Sequence, residues 1–155
     1  MITMLLVRQK LDLFVIAGVV MSLILSSCGE TKYTQCEQIF KIAHQVNSEA
    51  KSIKDINGVA SELPQELKSW LQAADLMNKA AQQIQALQIN NVQLIKYQTG
   101  LANIYQIYSQ ATYDAVQAKE SKNINALISA RDRANTAEEI QHKLVREINS
   151  YCLDN

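Results

Sequence analysis

From Cys36 to the end of the chain, apolar side chains recur at alternating steps of three and four residues, the spacing that puts them on one face of an α-helix. Cys36, Ile39, Ala43, Val46, Ala50 and Ile53 form the first such stripe, which stops at the turn signal Asn57-Gly58. Leu63, Leu67, Trp70, Ala74, Met77, Ala81 and Ile84 form the second, and Pro64 is tolerated because it falls in the first turn. The third carries Leu94, Tyr97, Leu101, Ile104, Tyr108, Ala111 and Ala115. The fourth carries Leu127, Ala130, Ala134, Ala137, Ile140, Leu144, Ile148 and Tyr151. One buried face per helix, repeating close to a heptad, predicts an all-α fold: an antiparallel up-down-up-down four-helix bundle spanning 36–155. The boundary between the second and third helices is set by phase. Extending the second stripe would send Gln88, Asn91 and Gln98 into the core, whereas the apolar positions restart at Leu94 and Tyr97. A turn at Asn90-Asn91 accounts for the slip.

The segment ahead of the bundle has a different pattern. Arg8 and Lys10 precede an apolar run from Leu13 to Leu25, thirteen residues long. That length suits a secretory signal, whereas a spanning helix needs about 20 apolar residues and Asp12 blocks extension toward Leu5 and Leu6. The run ends in Leu25-Ser26-Ser27-Cys28, which resembles the lipobox of bacterial lipoproteins, in which a Leu and two small residues precede a Cys. The resemblance covers residues 1–28 only. It implies that 1–27 are a signal peptide, that Cys28 is the lipid attachment site bearing a diacylglycerol and commonly a further acyl group, and that 28–35 form a lipidated tether. The protein is then expected on the extracytoplasmic, periplasmic side of a cell or outer membrane, with membrane lipid as its first partner. Two or three acyl chains, at about 0.8 kcal/mol per buried methylene, anchor stably. An uncleaved membrane anchor and plain secretion with cleavage near Ser27 are the alternatives. A free thiol at the boundary in an oxidising compartment argues against the latter.

With Cys28 assigned to lipid, Cys36 and Cys152 remain as an even pair, and export permits a disulfide between them. Two separate buried thiols are the other reading. An up-down-up-down bundle brings the start of helix one to the end of helix four, whereas a single helix from Leu63 to Lys119 would part them by tens of ångströms at about 1.5 Å per residue. Closing such a loop is worth about 4.7 kcal/mol in the chain-entropy picture. The short tether leads to the disulfide end, which is expected to face the bilayer. The loop 54–62 and the turn 119–123, with Lys54, Lys119 and Lys122, then face the aqueous side as the accessible surface for a partner.

Charge and composition narrow the chemistry. The chain has 15 basic and 15 acidic residues, and removing Arg8, Lys10 and Asp12 with the signal leaves 13 against 14. Nucleic acid is an unsuitable partner without concentrated positive charge. Glu139 and His142 have the Glu-x-x-His spacing of di-iron bundles, but those need two such motifs and two further Glu residues. His142 and His44 both fall off the apolar stripes and are expected at the surface. Tyr97, Tyr105 and Tyr108, with Trp70 opposite, could orient an apolar ligand; ordinary packing is the competing account. The many core alanines favour close helix approach over a cavity. No nucleophile elbow, phosphate loop or metal-ligand spacing is present, so neither enzyme activity, a cofactor nor a metal is expected. The expected function is a non-enzymatic accessory or protein-interaction role at the membrane surface, for example with another membrane or envelope protein. A small-ligand or haem carrier using the bundle interior is the alternative.

Overall fold

The computed structural model describes residues 31–56 and 63–153; the signal segment, Cys28 and the loop 57–62 lie outside the described residues. The chain divides into two units, 1–31 and 32–155. The second is four α-helices packed on one another: α1 Lys32–Ile56, α2 Leu63–Gln85, α3 Val92–Glu120 and α4 Ile124–Leu153. No strand occurs among the described residues. α1 starts at Lys32, so Lys32 to Gln35, expected as tether, are its first turn.

Short polar connections set the antiparallel order. α2 ends at Gln85, and Asn91 caps α3: its backbone is extended and its Oδ1 accepts from the N–H groups of Gln93 and Leu94 at 3.0 and 3.1 Å. A side-chain acceptor at this position satisfies donors that the first helical turn leaves open. The other turn is a Schellman arrangement. Lys122 takes the left-handed conformation (φ 54°), its N–H bonds to the Lys119 carbonyl at 3.2 Å, and the N–H of Asn123 bonds to the Ala118 carbonyl at 2.8 Å. Asn123 then caps α4 through the N–H of Ala126.

The helices do not contribute equally to the core. α2 lies along α3 and α3 along α4, whereas α1 rests chiefly on α2 and barely meets α3 or α4. α3 is therefore flanked on two sides. Its buried residues include Leu94, Tyr97, Leu101 and Ile104 as expected, and also Gln98, Ala102, Tyr105, Ser109, Val116 and Ala118. The expectation of a single buried face fails for this helix because neighbours cover it from opposite directions. Gln98 is buried despite its amide because that amide donates to the Ile84 and Leu87 carbonyls at 2.7 and 2.9 Å, sealing the exposed end of α2. On α4 the buried positions are Ala130, Ala137, Ile148 and Cys152, while Ile140, placed in the core by the sequence pattern, is half exposed. After Ala137 the inward face continues through half-buried Leu144 to Ile148, with Leu144 against Gly100 of α3, while Val145 is exposed at the groove wall.

Candidate functional site

One end of the bundle is tied shut. Cys36 and Cys152 form a disulfide with Cα atoms 6.0 Å apart, joining the first turn of α1 to the last turn of α4 as expected. Beside it, buried Gln35 bridges to the α2–α3 turn. Its Nε2 donates to Asn90 Oδ1 at 2.6 Å, and its Oε1 accepts from the N–H groups of Asn90 and Asn91 at 3.0 and 3.1 Å. The Tyr151 hydroxyl donates to Asn91 Oδ1 at 3.1 Å, its ring meets Tyr97 edge-on at 5.8 Å between centroids, and Lys32 lies 5.2 Å from the centre of that ring. All four helices thus meet at a knot built from a covalent bond and a satisfied polar network.

Away from the knot, α1 and α4 part and leave a groove of about 610 Å³. Ile39, Phe40, Ala43, Val46 and Ala50 of α1 form one wall, and Gln141, Val145, Ile148 and Asn149 of α4 form the facing one. Ala73 and Met77 of α2, with Leu101, Tyr105, Tyr108 and Thr112 of α3, form the floor. The lining is mainly apolar, which corrects the inference that the core alanines mean close approach throughout. Ala74, Ala80, Ala81 and Ala102 are buried where α2 and α3 lie together, but Ala43, Ala50 and Ala73 line open space. A small side chain closes a gap only if the backbones converge, and α1 does not converge on α4.

The aromatic cluster read from the sequence is split three ways. Tyr97 belongs to the knot, and Tyr105 and Tyr108 line the groove. Trp70 lies at the other end, in a second hollow of about 560 Å³ with Ala111, Ala115, Leu127, Ala130 and Ala134. Ala73 and Thr112 border both spaces, so the two hollows share a boundary. Lys119 lies 4.3 Å from the centre of the Trp70 ring and bonds Glu66 Oε1 at 2.9 Å. Lys119 was expected to present itself to a partner; it is instead engaged across α2 and α3, while Lys122 is exposed and the Lys54 side chain lies outside the described residues.

The Tyr108 hydroxyl donates to Gln141 Oε1 at 2.8 Å, closing the groove floor toward α4. Burial raises the pKa of Tyr105, and burial followed by the Glu138 charge raises that of Tyr108, so both remain neutral phenols over the physiological range. His44 is exposed at the groove's edge. His142 is exposed, 3.7 Å from Glu138. Among the described residues no group of three or more His, Cys, Asp or Glu side chains is placed to hold a metal ion, and no helix is long and apolar enough to cross a membrane.

Phe40, Asn47, Ala73, Val145 and Asn149 line the groove without having been singled out in the sequence. The signal for Val145 was present: Gln141, Val145, Ile148 and Cys152 keep the three-and-four spacing as well as the stripe through Ile140 does. Comparison with protein-family models, curated proteins and solved structures gives no match.

Proposed function

We propose that the chain is an exported lipoprotein, tethered through acylated Cys28, whose helical domain serves without catalysis as a binding module, with the groove between α1 and α4 as its recognition surface. The observation that carries this reading is the open, apolar groove, with a volume typical of small-molecule sites, about 300–1,000 Å³. A core that merely had to be stable would close such a space, because unfilled apolar volume forfeits packing. The groove moves the balance from a purely structural accessory role toward ligand carriage. The lipobox-like Leu25 to Cys28 supports the tether, and only Gly29, Glu30 and Thr31 stand between Cys28 and α1.

Two measurements test the proposal. Replacing Cys28 by Ser should remove the acyl mass from the mature N-terminus and shift the protein out of the membrane fraction. N-phenylnaphthylamine, an uncharged apolar dye, should fluoresce with the purified protein and lose that signal in Val145→Asp, which puts a carboxylate on the groove wall. An unacylated natural terminus would remove the tether, and absent dye uptake would remove the groove. His44 and Met77 both line the groove and are residue types that ligate haem. A Soret band in the purified protein would reassign it.

A further inference from the structure

Tyr105 lies in the groove floor with 5% of its surface exposed, and its hydroxyl has no hydrogen-bond partner among the described residues. Its neighbour Tyr108 is satisfied by Gln141. Every fully inaccessible side-chain nitrogen or oxygen among the described residues has a partner, so the unpaired Tyr105 hydroxyl keeps some accessible surface, and Tyr105 is a residue of the cavity lining. Buried hydroxyls are ordinarily paired, and an unpaired one inside an apolar hollow is a donor awaiting an acceptor. Burial raises its pKa, which keeps the proton on that oxygen.

The walls say what kind of molecule brings the acceptor. They carry aliphatic, aromatic, amide and hydroxyl side chains, and His44 at the edge is the sole lining residue among them that could bear a positive charge. A carboxylate or phosphate on this floor would lose its hydration without gaining a cation, a severe penalty. A peptide segment would bring an N–H and a C=O for each residue into a groove whose floor is mostly apolar and whose remaining amides, Asn47, Gln141 and Asn149, are few, which also fits poorly. Along α1 the lining runs from Ile39 to Ala50, about 16 Å of helix, enough for one extended tail.

We propose that the groove takes one uncharged single-chain amphiphile, an acyl ester or a related lipid carbonyl compound, whose carbonyl oxygen accepts from Tyr105 and whose tail lies between α1 and α4. This rests on the groove being the binding surface, and the test separates the two ideas.

The full exported chain carrying Cys28→Ser, in detergent-free buffer, is titrated with methyl laurate, laurate and dodecane. Methyl laurate should bind, with laurate clearly weaker. Tyr105→Phe, which keeps the ring and removes the donor, should weaken methyl laurate by about three- to tenfold and leave dodecane unchanged. Val145→Phe, which fills the groove from the other wall, should weaken both. Monoolein in vesicles against methyl laurate in solution distinguishes a membrane-held from a free ester, and binding of either supports the proposal. Unchanged methyl laurate affinity in Tyr105→Phe, or laurate equal to the ester, would overturn the inference while leaving the groove as a binding surface. Failure of both ester and alkane would overturn the two together, and so would uptake of an amphipathic peptide alone, which would assign the groove to a protein segment.

Discussion

Gln35 shows how much one polar side chain decides. It is among the most buried residues in the domain, yet its amide serves two backbone donors and one side-chain acceptor of the α2–α3 turn. Truncation would leave the N–H groups of Asn90 and Asn91 without their partner in a part-buried site. An unsatisfied buried group costs about 1–3 kcal/mol, so Gln35→Ala should destabilise the protein by roughly 2–3 kcal/mol in urea unfolding. The groove phenols give a pH signature of a different kind. Folding raises the pKa of Tyr105, chiefly by burial, so the folded chain holds that proton more tightly than the unfolded chain does. The resulting stabilisation is complete below the unfolded value near about 10 and disappears as pH rises through the folded value. Melting temperature should therefore fall on the alkaline side of about pH 10, and by less in Tyr105→Phe. Neither residue's role was legible in the sequence. Gln35 precedes the first apolar stripe and looks like tether, while Tyr105 lies beside the third stripe without indicating which helix it faces. Both roles depend on what a distant segment brings alongside.

At the scale of the helix, the repeat of apolar positions predicted four elements and their order, because amphipathic spacing and the Asn90-Asn91 turn are local signals. What it could not resolve is which members of a stripe the neighbouring helices cover. α4 is the clear case: Ala137, Leu144 and Ile148 of the expected stripe are buried or packed on the core, while Ile140 of the same stripe is half exposed. Paired substitutions measure the difference. Ile148→Ala removes a side chain that is 2% exposed and should cost about 2–4 kcal/mol, whereas Ile140→Ala, at 50% exposed, should change stability by less than about 1 kcal/mol. Comparable losses at both sites would mean that Ile140 is covered as fully as Ile148. α3 taught the converse lesson. Its polar Gln98 and Ser109 are buried and its alanines lie on several sides, a pattern that marks a central helix rather than a weakly amphipathic one.

Across the whole domain, stability is distributed from one end. α2, α3 and α4 pack along their lengths, whereas α1 is held by α2, by Gln35 and by the Cys36–Cys152 bond, with little contact to α4 beyond the knot. The same looseness that leaves the groove open makes α1 the element most dependent on the covalent tie. The bond spans a sequence separation of 116 residues, and a loop of about 100 residues is worth about 4.7 kcal/mol in the chain-entropy treatment. Reduction, or the double change Cys36→Ser and Cys152→Ser, should remove up to that amount. The loss should not be uniform. Once the knot is opened, amide exchange across Lys32–Ile56 should accelerate while Leu94 to Ala118 of α3 stay protected, since local opening follows the elements with the fewest packed neighbours. Affinity for an apolar probe should fall in step, because the α1 wall of the groove would no longer be held in place. Equal acceleration in all four helices would show that α1 is as integral to the fold as its neighbours, and that the groove does not depend on the sulfur bridge.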